Sequence, residues 1–228
     1  FAAALDNADV SEGFMNAASP GVIALFQPNS HYTTQEDYLE ALAEAMRPEY
    51  EAIVAAGYIL QLDTPDLGLG KHMMFKDEPE ENYEALAMTH VEALNHALRN
   101  VPADRVRMHI CWGNYEGPHH HDAPMSMVMP VALKAKPQAL LFENSNPRHA
   151  HEWADIAKMD IPDDKILIPG VVDSTTNFIE HPELVAQRIE RFADIVGKER
   201  VIAGSDCGFS TFAGFGAVDE DIVYAKLA

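Results

Sequence analysis

Cysteine is scarce in this chain: two in 228 residues, Cys111 and Cys207. Two cysteines cannot build the cross-linked scaffold of a small secreted domain, and such a pair more often serves a metal or catalysis. Basic residues are also few. Sixteen Lys and Arg stand against thirty-six Asp and Glu, for a formal net charge of −20, which excludes the clustered cationic surface that binds a phosphate backbone. No apolar run approaches the ~18 residues of a membrane span. No signal-peptide pattern opens the chain, so the sequence reads as a cytoplasmic protein. No Gly-x-Gly-x-x-Gly follows the first expected strand, so a dinucleotide site lacks its signature. Repeats, low-complexity tracts and linkers are absent too, which leaves one domain over residues 1–228. Both ends read as cut: Phe1 opens inside a helical run without a cap, and the helix from Asp219 to Ala228 simply stops. The expectation is a fragment lacking N-terminal strands and the C-terminal end.

What is present is an alternation of short apolar runs with helical periodicity. Expected strands are Val22–Phe26, Tyr58–Leu62, Arg105–Cys111, Gln138–Phe142, Ile166–Val172 and Val201–Gly204. Expected helices are Gln35–Ala56, with Pro48 kinking or resetting it and Gly57 ending it, then Glu81–Asn100, Met125–Leu133, Arg148–Lys158 and Pro182–Val196. Ser19-Pro20-Gly21 reads as a turn, Leu67–Asp77 as a loop, and Trp112–Asp122 as an aromatic, Gly- and His-rich loop. This rhythm predicts an α/β fold of the (β/α)8 TIM type, incomplete at about six of eight strand–helix units. A doubly wound open sheet is the alternative.

Chemically loaded residues cluster at the carboxyl ends of the expected strands: Asp63, His109, Cys111, Glu143, Asp173 and Cys207. In a barrel these ends converge on one face. His109 and Cys111, two apart on a strand, present their side chains to the same side. One His and two Cys leave a tetrahedral Zn2+ one donor short of closure, as a catalytic site requires, with Glu143 a candidate fourth ligand. Two buried structural thiols are the plainer alternative. Asp63 and Asp173 are candidate catalytic residues, or else helix N-caps. The His119-His120-His121 run is a second metal site or, more simply, a solvated loop edging the active site.

His109-Ile110-Cys111, Glu143-Asn144-Ser145, Pro169-Gly170-Val171-Val172-Asp173 and Asp206-Cys207-Gly208 occur in the order found in the catalytic domain of cobalamin-independent methionine synthase, which the chain resembles over roughly Ser19 to Gly208. Leu60-Gln61-Leu62-Asp63 is similar to that family's substrate-binding strand end. The resemblance implies a barrel, zinc at His109, Cys111, Glu143 and Cys207, and methyl transfer from methyltetrahydrofolate to the thiol of homocysteine. It also implies that Asp63 holds the substrate amino group, with Asn144 and Ser145 beside it. Three features depart from the pattern. Asp63-Thr64-Pro65 stands where the family has Asp-Glu-Pro. Asp173-Ser174-Thr175 replaces Asp-x-His, removing a proton-transfer histidine. The family's first two barrel strands have no counterpart. The loop Trp112–Pro118 is more similar to short single-domain relatives, which include epoxyalkane:coenzyme M transferase. Attack of coenzyme M on an epoxide is therefore the alternative reaction, with Arg148 as the sulfonate-binding candidate. A non-catalytic zinc-binding barrel fragment is the alternative from another class.

Overall fold

A computed structural model of the chain describes all residues except 211–213, 215 and 217. Its frame is a parallel sheet in strict sequence order: β1 (Phe14–Ala18), β2 (Ile59–Asp63), β3 (Val106–Ile110), β4 (Ala139–Phe142), β5 (Ile166–Val172) and β6 (Gly204–Ser205). Consecutive parallel strands that neighbour one another require a crossover on one side each time, and the sheet curls into a half-barrel of the TIM type.

Alternation along the strands separates two faces. Leu60 and Leu62 of β2, Val106, Met108 and Ile110 of β3, Leu140 and Phe142 of β4, and Leu167 of β5 are buried in one core against the outer helices. Full burial of such a side chain is worth about 1.5–3 kcal/mol. The intervening residues face the inside of the curl, where Asp63 and His109 are register partners on adjacent strands.

Helices Gln35–Ala55, Tyr83–Ala97, Met125–Ala132 and Pro182–Val196 form as their periodicity implies. The first runs unbroken through Pro48 rather than resetting there. Its buried stripe of Leu39, Ala43, Tyr50 and Ile53 spans the proline, and Tyr50 donates its hydroxyl to the Ala18 carbonyl at 2.5 Å. Gly57, at φ 92°, takes the left-handed position just beyond the helix.

Several elements differ from the sequence expectation. Val22–Phe26 is not a strand but part of a helix, Pro20–Phe26, and the first strand lies upstream at Phe14–Ala18. A five-residue apolar run fits either state. Here Ser19 decides it by accepting the Val22 N–H at 3.0 Å, with Pro20 in the first turn. The loop expected over Leu67–Asp77 is shortened at its start by two short helices, Pro65–Gly68 and Gly70–Met73. The helix expected over Arg148–Lys158 shrinks to Trp153–Ile156. The Asn146 side chain accepts the Arg148 and His149 N–H groups at 3.0 and 3.2 Å, and this local bonding displaces the helical pattern. The last strand is Gly204–Ser205, with Val201 making only an isolated bridge to Leu167. Among the described residues, no helix is long and apolar enough to cross a membrane.

Candidate metal centre

The carboxyl ends of β3 and β6 bring His109, Cys111 and Cys207 together, with one donor atom from each lying within 4.8 Å of the others. Among the described residues this is the one group with such spacing. Both cysteines are free thiols, and their sulfurs are 3.9 Å apart. A disulfide would need about 2.05 Å. Two thiolates on one tetrahedral zinc, each at about 2.3 Å, lie roughly 3.8 Å apart, so the separation is that of co-ligands.

The imidazole is aimed by its neighbour. His109 Nδ1 donates to Asp63 Oδ1 at 2.9 Å, which leaves Nε2 as the free ligating nitrogen. Nε2 is buried and has no hydrogen-bond partner among the described residues. Orphaned buried polar atoms are rare and need a reason; a metal held with the two sulfurs would supply one. Burial disfavours the His109 cation, but the hydrogen bond to Asp63 and the Cys111 sulfur outweigh it, raising the ring to about 9. The adjacent Cys207 sulfur and burial push the Cys111 thiol well above its ordinary range. Without metal, His109 and Cys111 therefore favour their protonated forms, and a bound metal would compete with those protons. The Gly113 N–H points at Cys111 Sγ, 3.3 Å away, and favours the thiolate once it forms.

Glu143, at the end of β4, lies outside this donor group, although its charge is felt by both His109 and Cys111. Its carboxylate is 2% exposed and hydrogen-bonded through both oxygens: Oε1 accepts the Trp112 N–H at 2.9 Å, and Oε2 accepts Asn146 Nδ2 at 2.8 Å and Arg148 Nη2 at 2.6 Å. Asn144 is buried with both side-chain amide atoms unpartnered among the described residues, and Ser145 is buried beside it. Asp173 turns back on its own loop, accepting from Thr175 N and Oγ1 and from Thr176 Oγ1 at 2.7–3.0 Å, so the structure uses it as a loop clasp. Asp63 keeps half its side chain exposed beyond the His109 bond.

Sequence reasoning assigned no role to Asp206, although it sits in the Asp206-Cys207-Gly208 motif. This carboxylate is 1% exposed, with Oδ1 accepting the N–H groups of Asn144 and Ser145 and Oδ2 accepting both N–H and Nδ2 of Asn146, each at 2.8 Å. It staples the segment after β4 to the segment carrying Cys207. Gly170 on β5 makes room for it, since a Cβ there would stand 1.9 Å from Asp206 Oδ1.

A second network was equally invisible. His149 pairs with Glu152 at 2.7 Å and with Asp122 at 3.2 Å, while His119 holds Asp122 from the other side at 3.0 Å. His149 lies against the Trp112 ring, centroids 4.5 Å apart, so the network pins the loop after β3. The histidine run thus contributes His119 to a buried clasp. Burial opposes the His149 cation, but the bonds to Asp122 and Glu152 overcome it and lift the ring from 6.5 to about 9. A raised folded-state value means the stabilisation is complete below pH 6.5 and disappears as pH climbs through about 9. In chemical denaturation, His149→Gln should lose less stability than wild type between pH 6.5 and 9.5, by on the order of 3 kcal/mol, the His109 contribution being common to both proteins. Equal pH slopes for the two proteins would refute it.

Comparison with known proteins agrees with this geometry. The family model described as the catalytic domain of cobalamin-independent synthase matches residues 21–220. Methionine synthase of Saccharolobus solfataricus is 29% identical over 214 residues, covering 91% of this chain and 53% of that protein. An uncharacterized protein of Bacillus subtilis, YxjH, is 25% identical over 205 residues, covering 86% and 53%. The chain spans about half the length of these relatives. Among solved structures, the B12-independent methionine synthase of Shewanella sp. W3-18-1, in complex with selenomethionine, has a similar fold, with a TM-score of 0.67 at 16% identity over 93% of this chain and 58% of that one. The putative vitamin-B12-independent methionine synthase of Listeria monocytogenes has a TM-score of 0.59 at 22% identity, covering 96% and 63%. The half-barrel, the converging His and Cys donors and a family match across most of the chain lead to one conclusion: this chain belongs to the cobalamin-independent methionine synthase catalytic-domain family.

Proposed function

We propose that this chain carries a zinc-dependent thiol alkyltransferase centre, with His109, Cys111 and Cys207 as ligands, that moves a methyl group from a methyltetrahydrofolate-type donor to homocysteine. The observation that carries the reading is the unpartnered, buried Nε2 of His109 beside two sulfurs spaced as co-ligands. Three protein donors including two thiolates match catalytic zinc better than the His-and-carboxylate sets of metallohydrolases. When bound, zinc lowers the pKa of a substrate thiol so that it reacts as thiolate near neutral pH.

The chain's own residues do the rest. Asp63 holds the imidazole in the tautomer that ligates, and its half-exposed carboxylate offers an acceptor for a substrate ammonium group. Asn144, with unspent donor and acceptor capacity, is suited to a polar group of the substrate. With Thr175 at the position of the family's proton-transfer histidine, hydroxyl groups replace an imidazole on that side, and Thr175 Oγ1 is already bonded to Asp173. The coenzyme M alternative needs a free cation for the sulfonate, whereas Arg148 is paired with Glu143 at 2.6 Å.

The test is a product assay on the zinc-replete protein with homocysteine and methyltetrahydrofolate, run beside coenzyme M and a short epoxide. Methionine formation that stops on chelation is the expected result. Zinc-replete protein that alkylates neither thiol would refute the alkyltransferase reading.

A further inference from the structure

The backbone carbonyl of His109 accepts two hydrogen bonds from one residue. Thr64, the first residue beyond β2, donates its N–H at 2.9 Å and its hydroxyl at 2.7 Å to that oxygen. The N–H continues the ladder in which Asp63 and His109 are register partners, whereas the hydroxyl is an extra donor that only the side chain supplies. Thr64 is 1% exposed. After the short helix Pro65–Gly68 the chain returns to the same strand end, and Leu69 donates its N–H to the Cys111 carbonyl at 3.1 Å. The approach is so close that a Cβ on Gly68 would stand 2.5 Å from that oxygen. Residues 64–69 are themselves anchored. Asp66 Oδ1 accepts the Ser19 hydroxyl at 3.2 Å, Oδ2 pairs with His90 Nδ1 at 2.9 Å, and all three side chains are buried. Asp63 already holds the His109 ring through Nδ1, so two consecutive residues hold His109 by its ring and by its backbone.

From this grip we infer that Thr64 is a positioning residue of the metal centre. Its hydroxyl fixes the peptide plane after His109, and with it the direction in which Cys111, two residues on, presents its sulfur. The inference rests on the zinc reading of the His109, Cys111 and Cys207 group. A carboxylate could not replace this hydroxyl: the glutamate of the family's Asp-Glu-Pro, ionised at neutral pH, has no proton for a carbonyl. The contact thus belongs to this chain's departure from that pattern. Its consequence is that two donors of the site are held in place by the protein before a metal arrives, so that binding need not order them.

Zinc affinity, measured on the whole protein by competition with a chromophoric chelator, tests this without reference to turnover. Thr64→Val removes the hydroxyl and keeps the shape, while the backbone N–H still serves the carbonyl. It is expected to weaken zinc about tenfold or more, as loss of a group that orients a metal ligand does. Thr64→Ser keeps the hydroxyl and should stay within about threefold of wild type. Thr64→Ala set against Thr64→Ser repeats the comparison with the hydroxyl as the difference, and it decides the matter if Thr64→Val does not fold. Tyr83→Phe controls for general loosening: it deletes a buried hydroxyl bond, 2.6 Å long, to the Leu67 carbonyl of the same segment. That variant should also bind zinc within about threefold of wild type, since no ligand residue is touched. Unweakened zinc binding in Thr64→Val, or in Thr64→Ala relative to Thr64→Ser, overturns the inference. So does a serine variant as weak as the valine one, or a Tyr83→Phe variant that loses as much affinity. Wild-type protein that binds no zinc is a different outcome: it refutes the metal centre itself, and the inference with it.

Discussion

Replacing Cys207 with serine is expected to reduce bound zinc from about one per chain to below roughly a tenth, because a neutral hydroxyl is a poor substitute for a thiolate donor. Cys207 lies at a half-buried position, so the change leaves little cavity, and loss of metal would not come from a collapsed core. The measurement is elemental analysis of wild type and variant prepared in the same metal-free buffer, with circular dichroism to show that both fold. Cys111→Ser and His109→Ala should behave alike, since their donor atoms share the 4.8 Å group. Zinc retained at wild-type stoichiometry in Cys207→Ser would return both thiols to the role of ordinary packing residues.

Asp206→Ala is expected to be the most destabilising single change near the site. It removes an acceptor shared by three backbone N–H groups and the Asn146 amide, all of them buried. Burial, followed by the nearby Glu143 charge, raises the Asp206 pKa, so the ionised carboxylate sits here at a cost. Its removal nonetheless strands donors that no solvent reaches, and each stranded donor costs about 1–3 kcal/mol. The expected loss is on the order of 4 kcal/mol in chemical denaturation, accompanied by weaker zinc binding because Cys207 is the next residue. Gly170→Ala should reproduce the effect from the opposite side, since the added methyl would press on Asp206 Oδ1 and on its Cα, 2.7 Å away. A cost below about 1 kcal/mol for Asp206→Ala would show that water or another donor arrangement replaces the staple.

Local patterns were legible wherever one residue's neighbours in sequence decide its state. The short apolar runs of β2, β3 and β4 located those strands to within a residue or two, and the alternation of side chains along a strand put His109 and Cys111 on one face. Val22–Phe26 failed because periodicity in five apolar residues cannot separate strand from helix, although Ser19 and Pro20 carried the helix-start signal. The residues after Arg148 failed because Asn146 captures their N–H groups, an interaction that a helical pattern does not reveal.

The alternation of strand and helix, the scarcity of cysteine and the strand-end placement of His109, Cys111 and Cys207 were enough to indicate an incomplete α/β barrel and to single out the three residues that the fold brings together as a group able to hold a metal. Those features are local or compositional, and the convergence of strand ends follows from the parallel fold itself. Only the tertiary structure decided how the carboxylates divide their work: Asp63 orients the imidazole, Asp206 staples two strand ends, Asp173 closes its own loop, and Glu143 is held by Arg148. All four stand at or beside strand ends and look alike in sequence. What separates them is which donor lies within about 3 Å of each oxygen, and that depends on register and loop conformation across segments up to 62 residues apart.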